Sequence, residues 1–233
     1  MSSNKEASKV IIALDYSNKK DTLNLVSKLD KSLCNLKVGY ELFLSEGQSL
    51  IKELHKREFK IFLDLKLHDI PNTVFKALKN LLNQKLWMTN IHLLGGEEMI
   101  QAAREARDQV KSEALIIGVT VLTSLNEEKI KNMGFNIQIP ELVKVLSTSA
   151  KRNNIDGVVC SVKEVPEIKE NLGEDFIAVT PGIRIHQNNN DQSRVATLKE
   201  ATKNRSDYIV LGREITSSTN IPEMIKKVES YII

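Results

Sequence analysis

Asp64, Lys66 and Asp69 fall within Asp64-Leu65-Lys66-Leu67-His68-Asp69-Ile70-Pro71-Asn72-Thr73, the densest run of chemically able side chains in the chain. On an extended strand Asp64 and Lys66 share a face, because side chains alternate with period two. Lys37, ending a neighbouring apolar run, can join them and give a carboxylate flanked by two ammonium groups. Charges so arranged can do catalytic work. They can equally form an ion-pair network at the mouth of a barrel with no chemistry attached. Spacing alone leaves both readings open.

The elements that must position these residues are short and regular. Apolar, β-branched runs recur at residues 10–14, 36–38, 60–65, 88–91, 115–121, 157–160, 176–179 and 208–211, each ending at a polar residue or at Gly or Pro. Such runs predict buried strands. Between them, Val74, Ala77, Leu78, Leu81 and Leu82 follow the i, i+3, i+4, i+7, i+8 spacing of one helix face. Met99, Ala102, Ala103 and Ala106 repeat that pattern, as do Ile221, Met224, Ile225 and Val228. The longest interval between strands, residues 122–156, has its helical part at Leu142, Val143, Val145 and Leu146, with Pro140 near the helix start.

Eight strands alternating with helices, without a linker or a shift in composition, predict an α/β fold: a single-domain (β/α)8 TIM barrel over residues 10–233, behind a polar tail of residues 1–9. A doubly wound sheet is the alternative. Asp15-Tyr16-Ser17 stands where its glycine-rich dinucleotide loop would follow the first strand. In a barrel the active site lies at the C-terminal ends of the strands. The residues found there are Asp15, Lys37, Asp64, Lys66, Asp69, His92, Thr123, Ser161, Arg184 and Gly212-Arg213.

Bulk properties narrow the function classes. With 33 Lys plus Arg against 30 Asp plus Glu the net charge is +3, and the two signs are interleaved along the chain. Aromatic residues are 5%, too few for base-stacking platforms, so no nucleic-acid partner is expected. The longest nearly unbroken apolar stretch, residues 114–122, is far short of the roughly 20 residues a membrane helix needs. The first residues lack an apolar signal core, and Cys34 and Cys160 form no CxxC pair, so a cytoplasmic, reducing location and no metal cluster are expected.

The sequence resembles the orotidine 5′-phosphate decarboxylase family in its short bacterial form, nearly end to end. The markers are Leu36-Lys37-Val38-Gly39, the stretch from Asp64 to Thr73, Val119-Thr120-Val121-Leu122-Thr123-Ser124, Asp156-Gly157-Val158-Val159-Cys160-Ser161, Val179-Thr180-Pro181-Gly182-Ile183-Arg184, Asp191-Gln192 and Leu211-Gly212-Arg213. The resemblance implies cofactor-free and metal-free loss of the C6 carboxylate from orotidine 5′-phosphate, giving uridine 5′-phosphate, the last step of de novo pyrimidine nucleotide synthesis. Lys66 would be the general acid, with Asp64 and Asp69 favouring its charged form. Lys37 and Asp15 would bind the ribose, and Thr123 and Ser161 the ribose or base edges. Arg213, Gly212, Arg184, Pro181 and Gln192 would surround the phosphate, beneath a lid over residues 185–193. Asp69, Ile70 and Thr73 would reach the site of a second subunit, making the unit a homodimer.

The pattern departs from the family at three places. Glu214 stands where a proline usually follows the Gly-Arg pair, Leu93-Leu94 replaces a smaller pair before Gly95-Gly96, and the lid lacks its usual glycines. The rival readings are a Mg²⁺-dependent sugar-phosphate decarboxylase or synthase of the same superfamily, an aldolase using Lys66 as a Schiff base, and a non-catalytic barrel binding uridine 5′-phosphate. His92 reads as structural, His68 as support within the motif, and Trp87 as core packing.

Overall fold

All eight apolar runs become parallel strands, and the strands close on themselves. A computed structural model describes residues 8–185, 196–218 and 220–232. The chain runs β1 (Val10–Ala13), α1 (Lys19–Val26), β2 (Asn35–Gly39), α2 (Tyr40–Lys56), β3 (Ile61–Leu67), α3 (Pro71–Leu82), β4 (Met88–His92), α4 (Glu97–Val110) and β5 (Leu115–Val119). It continues with α5 (Glu127–Asn132), α6 (Ile139–Arg152), β6 (Gly157–Val159), α7 (Val165–Leu172), β7 (Ile177–Thr180), β8 (Ile183–Arg184), β9 (Ala196–Thr197), α8 (Leu198–Lys203), β10 (Tyr208–Leu211), α9 (Arg213–Thr216) and α10 (Ile221–Ile232). Around the barrel the order is β1-β10-β7-β6-β5-β4-β3-β2, the expected single-domain TIM barrel.

The core forms two shells. Ile11, Ala13, Phe62, Met88, Ile117, Val179 and Val210 fill the barrel interior. The outward faces of the strands pack against the helices, whose buried stripes match the predicted spacing: Val74, Leu78, Leu81 and Leu82 on α3, and Leu142, Val143 and Leu146 on α6. Val145, between the last two, points to solvent. Pro71 opens α3, where its missing N–H costs nothing, and Ile70 before it is extended as a residue preceding proline must be. Trp87 meets Tyr208 edge-on at 5.1 Å, as core packing requires. The two-residue pair β8–β9 was not legible in the sequence, being too short to show any periodicity.

At the N-terminal floor two buried cations pin strands to helices. Asp156, just before β6, accepts the Ile116 N–H at 2.7 Å and pairs with Arg107 of α4. Asp207, just before β10, accepts the Ala178 N–H at 2.7 Å and the Lys169 ammonium of α7 at 2.7 Å. Lys169 gives its other protons to the carbonyls of Glu174 and Phe176, at 2.8 and 2.9 Å. Among the described residues no helix is long and apolar enough to cross a membrane.

Candidate active site

β2 and β3 bring the charged residues together at the mouth. Lys37 and Gly39 alternate on β2, and Gly39 pairs with Asp64 of β3. A Cβ on Gly39 would lie 3.4 Å from the Lys37 ammonium, so glycine leaves that side chain its path. Lys37 Nζ sits 3.3 Å from Asp64 Oδ2 and 3.5 Å from Asp15 Oδ1. On the other side Lys66 Nζ donates to Asp64 Oδ1 at 2.6 Å. Asp64 is therefore a buried carboxylate between two ammonium groups, as the strand alternation predicted.

The strand carrying it is not regular, however. Phe62 and Leu63 pair with Met88 and Thr89 of β4, but the next partner of Ile91 is Leu67. Three residues of β3, Asp64 to Lys66, thus face the single residue Asn90, and Lys66 takes a left-handed φ of 43°. Asn90, fully buried, bonds both ends of the irregularity: its Oδ1 accepts the Lys66 N–H at 2.7 Å, and its Nδ2 donates to Asp64 Oδ1 at 2.7 Å. The sequence reading passed over Asn90 as part of an ordinary strand. The available signal was an amide inside a buried run, where a polar group needs partners.

Burial alone would raise the Asp64 carboxyl. The charges of Lys37 and Lys66 and the hydrogen bonds from Lys66 and Asn90 outweigh it and hold that carboxyl below its ordinary range. His68 and His92 stack at 5.2 Å beside this cluster. Burial, then the charges of His68 and Lys66, push His92 down to about 4, so it is neutral near pH 7 and packs rather than titrates.

The cluster forms one wall of a cavity of about 930 Å³, a size that suits a nucleotide-sized ligand. Its base is apolar, made by Ala13, Phe62, Val119, Val159, Val179 and Val210. Thr123, Pro181, Gly182, Arg184, Gly212 and Arg213 line the remainder, with Glu214 beside Arg213. Gly182 takes a φ of 74°, which explains glycine within Pro181-Gly182-Ile183-Arg184. A Cβ on Gly212 would meet only Asp15 Oδ2 at 3.5 Å and Ala13 Cβ at 3.9 Å, so the space before that backbone is open. Ser217, Ser218 and Met224 also line the cavity, and no pattern in the sequence marked them.

Other expected residues lie elsewhere. Asp69, Ile70 and Thr73 are exposed outside the cavity, at the start of α3. Ser161 is buried, with its hydroxyl accepting the Glu164 N–H while Glu164 Oε2 accepts the Ser161 N–H at 2.7 Å. Gln192 and most of the expected lid lie outside the described residues, as do residues 1–7 of the tail. No group of three or more His, Cys, Asp or Glu side chains is placed to hold a metal ion among the described residues.

A closed parallel barrel whose mouth gathers two lysines around a buried carboxylate, in a cavity that two arginines also line, defines a (β/α)8 enzyme acting on a small anionic substrate. The sequence profile of the Orotidine 5'-phosphate decarboxylase / HUMPS family matches residues 8–228. The chain belongs to that family. It is 48% identical over 219 residues to the orotidine 5'-phosphate decarboxylase of Legionella pneumophila (strain Corby), covering 93% of this chain and 96% of the relative. It is 46% identical over 222 residues to that of Aliivibrio fischeri (strain MJ11), covering 94% and 95%. The crystal structure of orotidine 5'-phosphate decarboxylase from Lactobacillus acidophilus superposes with a TM-score of 0.87 at 35% identity, covering 97% of this chain and 99% of that one.

Proposed function

We propose that this chain decarboxylates orotidine 5′-phosphate to uridine 5′-phosphate in pyrimidine nucleotide synthesis, with Lys66 as proton donor. The observation that carries the reading is the Lys66–Asp64–Lys37 cluster on the wall of a phosphate-compatible cavity. Family membership limits the chemistry to decarboxylation and its superfamily relatives.

In this reading the C6–carboxylate bond breaks, carbon dioxide leaves, and the electron pair stays at C6. The Lys66 ammonium stabilises that pair and then delivers its proton to it. Asp64 holds the ammonium in place at 2.6 Å, and Lys37 balances the Asp64 and Asp15 carboxylates. A substrate carboxylate about 4 Å from Asp64 would be repelled by about 4 kcal/mol at an effective dielectric of about 20, less where the lysines screen it. Its departure relieves that repulsion, a contribution we rank below stabilisation by Lys66. Arg213 and Arg184 suit the phosphate dianion, and the open backbone at Gly212 admits its close approach. Asp15 and Lys37 face the ribose, Thr123 addresses ribose or base edges, and Pro181 belongs to the phosphate end, where Gln192 would join it. Ser161, buried outside the cavity with its hydroxyl taken by the Glu164 N–H, has no part in binding.

The exposure of Asp69, Ile70 and Thr73 at the mouth supports a homodimer in which they complete the partner's site. Ile70 is 66% exposed, an apolar side chain placed to be covered. The setting is the cytoplasm. No cofactor, metal, membrane or nucleic acid enters this scheme.

Ultraviolet absorbance of orotidine 5′-phosphate mixed with the protein tests the proposal, with and without EDTA. Conversion indifferent to EDTA is expected. Conversion abolished by EDTA would favour the Mg²⁺-dependent superfamily chemistry, and binding of uridine 5′-phosphate without turnover would favour a non-catalytic barrel. Mixing Lys66→Ala with Asp69→Ala subunits tests the shared site: activity that neither variant has alone should appear.

A further inference from the structure

Asn90 lies in β4, beneath the cavity, and is absent from its lining. It is nevertheless the residue that the irregularity in β3 depends on. Where three residues of β3 face one of β4, a regular ladder is impossible, and the side-chain amide of Asn90 takes the place of a backbone group. It accepts from the Lys66 N–H and donates to the same Asp64 oxygen that receives the Lys66 ammonium. A single buried side chain thus bonds the backbone of one group and the carboxylate of the other.

We infer that Asn90 is a positioning residue for the proposed proton donor, acting through the left-handed backbone of Lys66 to hold its ammonium on Asp64 and toward the cavity. The inference rests on the proposed role of Lys66. A left-handed lysine persists only when its surroundings over-determine it, and the two Asn90 bonds, each 2.7 Å, supply that constraint. Without them Lys66 is free to leave the left-handed region, and its ammonium is no longer fixed at its present position against Asp64. The Asn90 hydrogen bond also helps keep the Asp64 carboxyl low.

Thr89 provides an internal control. It is equally buried, adjacent on β4, and also bonds across to β3, where its hydroxyl donates to the Leu63 carbonyl at 3.1 Å. It touches neither Asp64 nor Lys66 through that bond.

The experiment compares Asn90→Leu and Thr89→Val in the full-length protein, by kcat, KM and amide hydrogen exchange at Lys66. For Asn90→Leu, kcat should fall on the order of 10²-fold, as a displaced catalytic group causes, with KM changed only a few-fold. The Lys66 amide should lose protection, and the acid limb of kcat should move to higher pH as the Asp64 carboxyl rises. Thr89→Val should lower stability alone. Equal losses of kcat in the two variants, or wild-type kcat in Asn90→Leu, would overturn the inference. If the wild type itself fails to turn over, the proposed function falls, and exchange at Lys66 still decides: unchanged protection in Asn90→Leu overturns the role of Asn90. Should Asn90→Leu not fold, Asn90→Asp keeps the shape and the acceptor for Lys66 but sets a second carboxylate against Asp64. Its kcat relative to wild type should then recover on acidification, and a flat ratio would overturn the inference.

Discussion

At the floor of the barrel Lys169 gives away every proton it has, to Asp207 and to two backbone carbonyls, and only 1% of its side chain is exposed. At the mouth Lys66 has one acceptor among the described residues, Asp64, and its side chain is 31% exposed toward the cavity. Both are lysines paired with an aspartate of the barrel. The floor pair is closed: its aspartate also takes a strand N–H, its backbone is ordinary, and adding a ligand could only break something. The mouth pair is open, and its lysine sits on a left-handed residue that costs about 1–3 kcal/mol. A saturated ion pair anchors a fold. A pair with spare donors on a constrained backbone is built to act on something else.

Substitutions at the two ends should therefore separate stability from rate. Among substitutions that leave the proposed proton donor in place, the largest effect expected is at Asp64. Asp64→Asn removes the carboxylate between Lys37 and Lys66, and kcat should fall on the order of 10³-fold. The melting temperature should fall less than in Lys169→Met, because Lys37 keeps Asp15 as a partner and the Lys66 ammonium is partly solvated. Lys169→Met inverts the outcome. It leaves Asp207 and two carbonyls without their cation and should cost ~3 kcal/mol of stability by denaturant titration. The activity per folded molecule should be unchanged. A large rate loss in Lys169→Met would break the contrast.

A smaller, pH-dependent effect belongs to His92, which is neutral in the fold. The unfolded chain takes up a proton at an ordinary histidine value of 6.5, the folded chain only near 4. Stability due to His92 is therefore complete above 6.5 and lost as the pH falls toward 4. His92→Asn should flatten that part of the urea midpoint against pH. The smallest effect is at Glu214. Glu214→Gln removes a carboxylate beside Arg213 in the phosphate end of the cavity, and KM should fall by up to about fivefold, the effect of ~1 kcal/mol for a solvated charge pair. The gain should shrink as salt is added.

Much of this was legible in the residues. All eight barrel strands were marked by brief apolar runs, because strands buried on both faces lose the polar alternation that would blur their ends. Strand-end residues located Asp15, Lys37, Asp64, Lys66, Thr123 and Arg213 at one rim. Strand alternation put Asp64 and Lys66 together correctly, but for an incomplete reason, since Lys66 lies on an irregular backbone that period-two logic cannot describe. Asn90 was not found. Its role depends on a register shift between two strands, a relation between segments that no single run displays. Ser217, Ser218 and Met224 were missed for a similar cause: their place in the cavity follows from how α9 and α10 return over the rim.

Turnover of orotidine 5′-phosphate by Lys66→Ala, followed by ultraviolet absorbance on protein whose folding and uridine 5′-phosphate binding have been verified, tests the central claim most directly. The account predicts a folded, ligand-binding protein with conversion reduced by at least about 10⁴-fold, the combined loss of a proton donor and a charge at the reacting carbon. Conversion near the wild-type rate would contradict it, and would place the mouth cluster alongside the floor as an anchor of the fold.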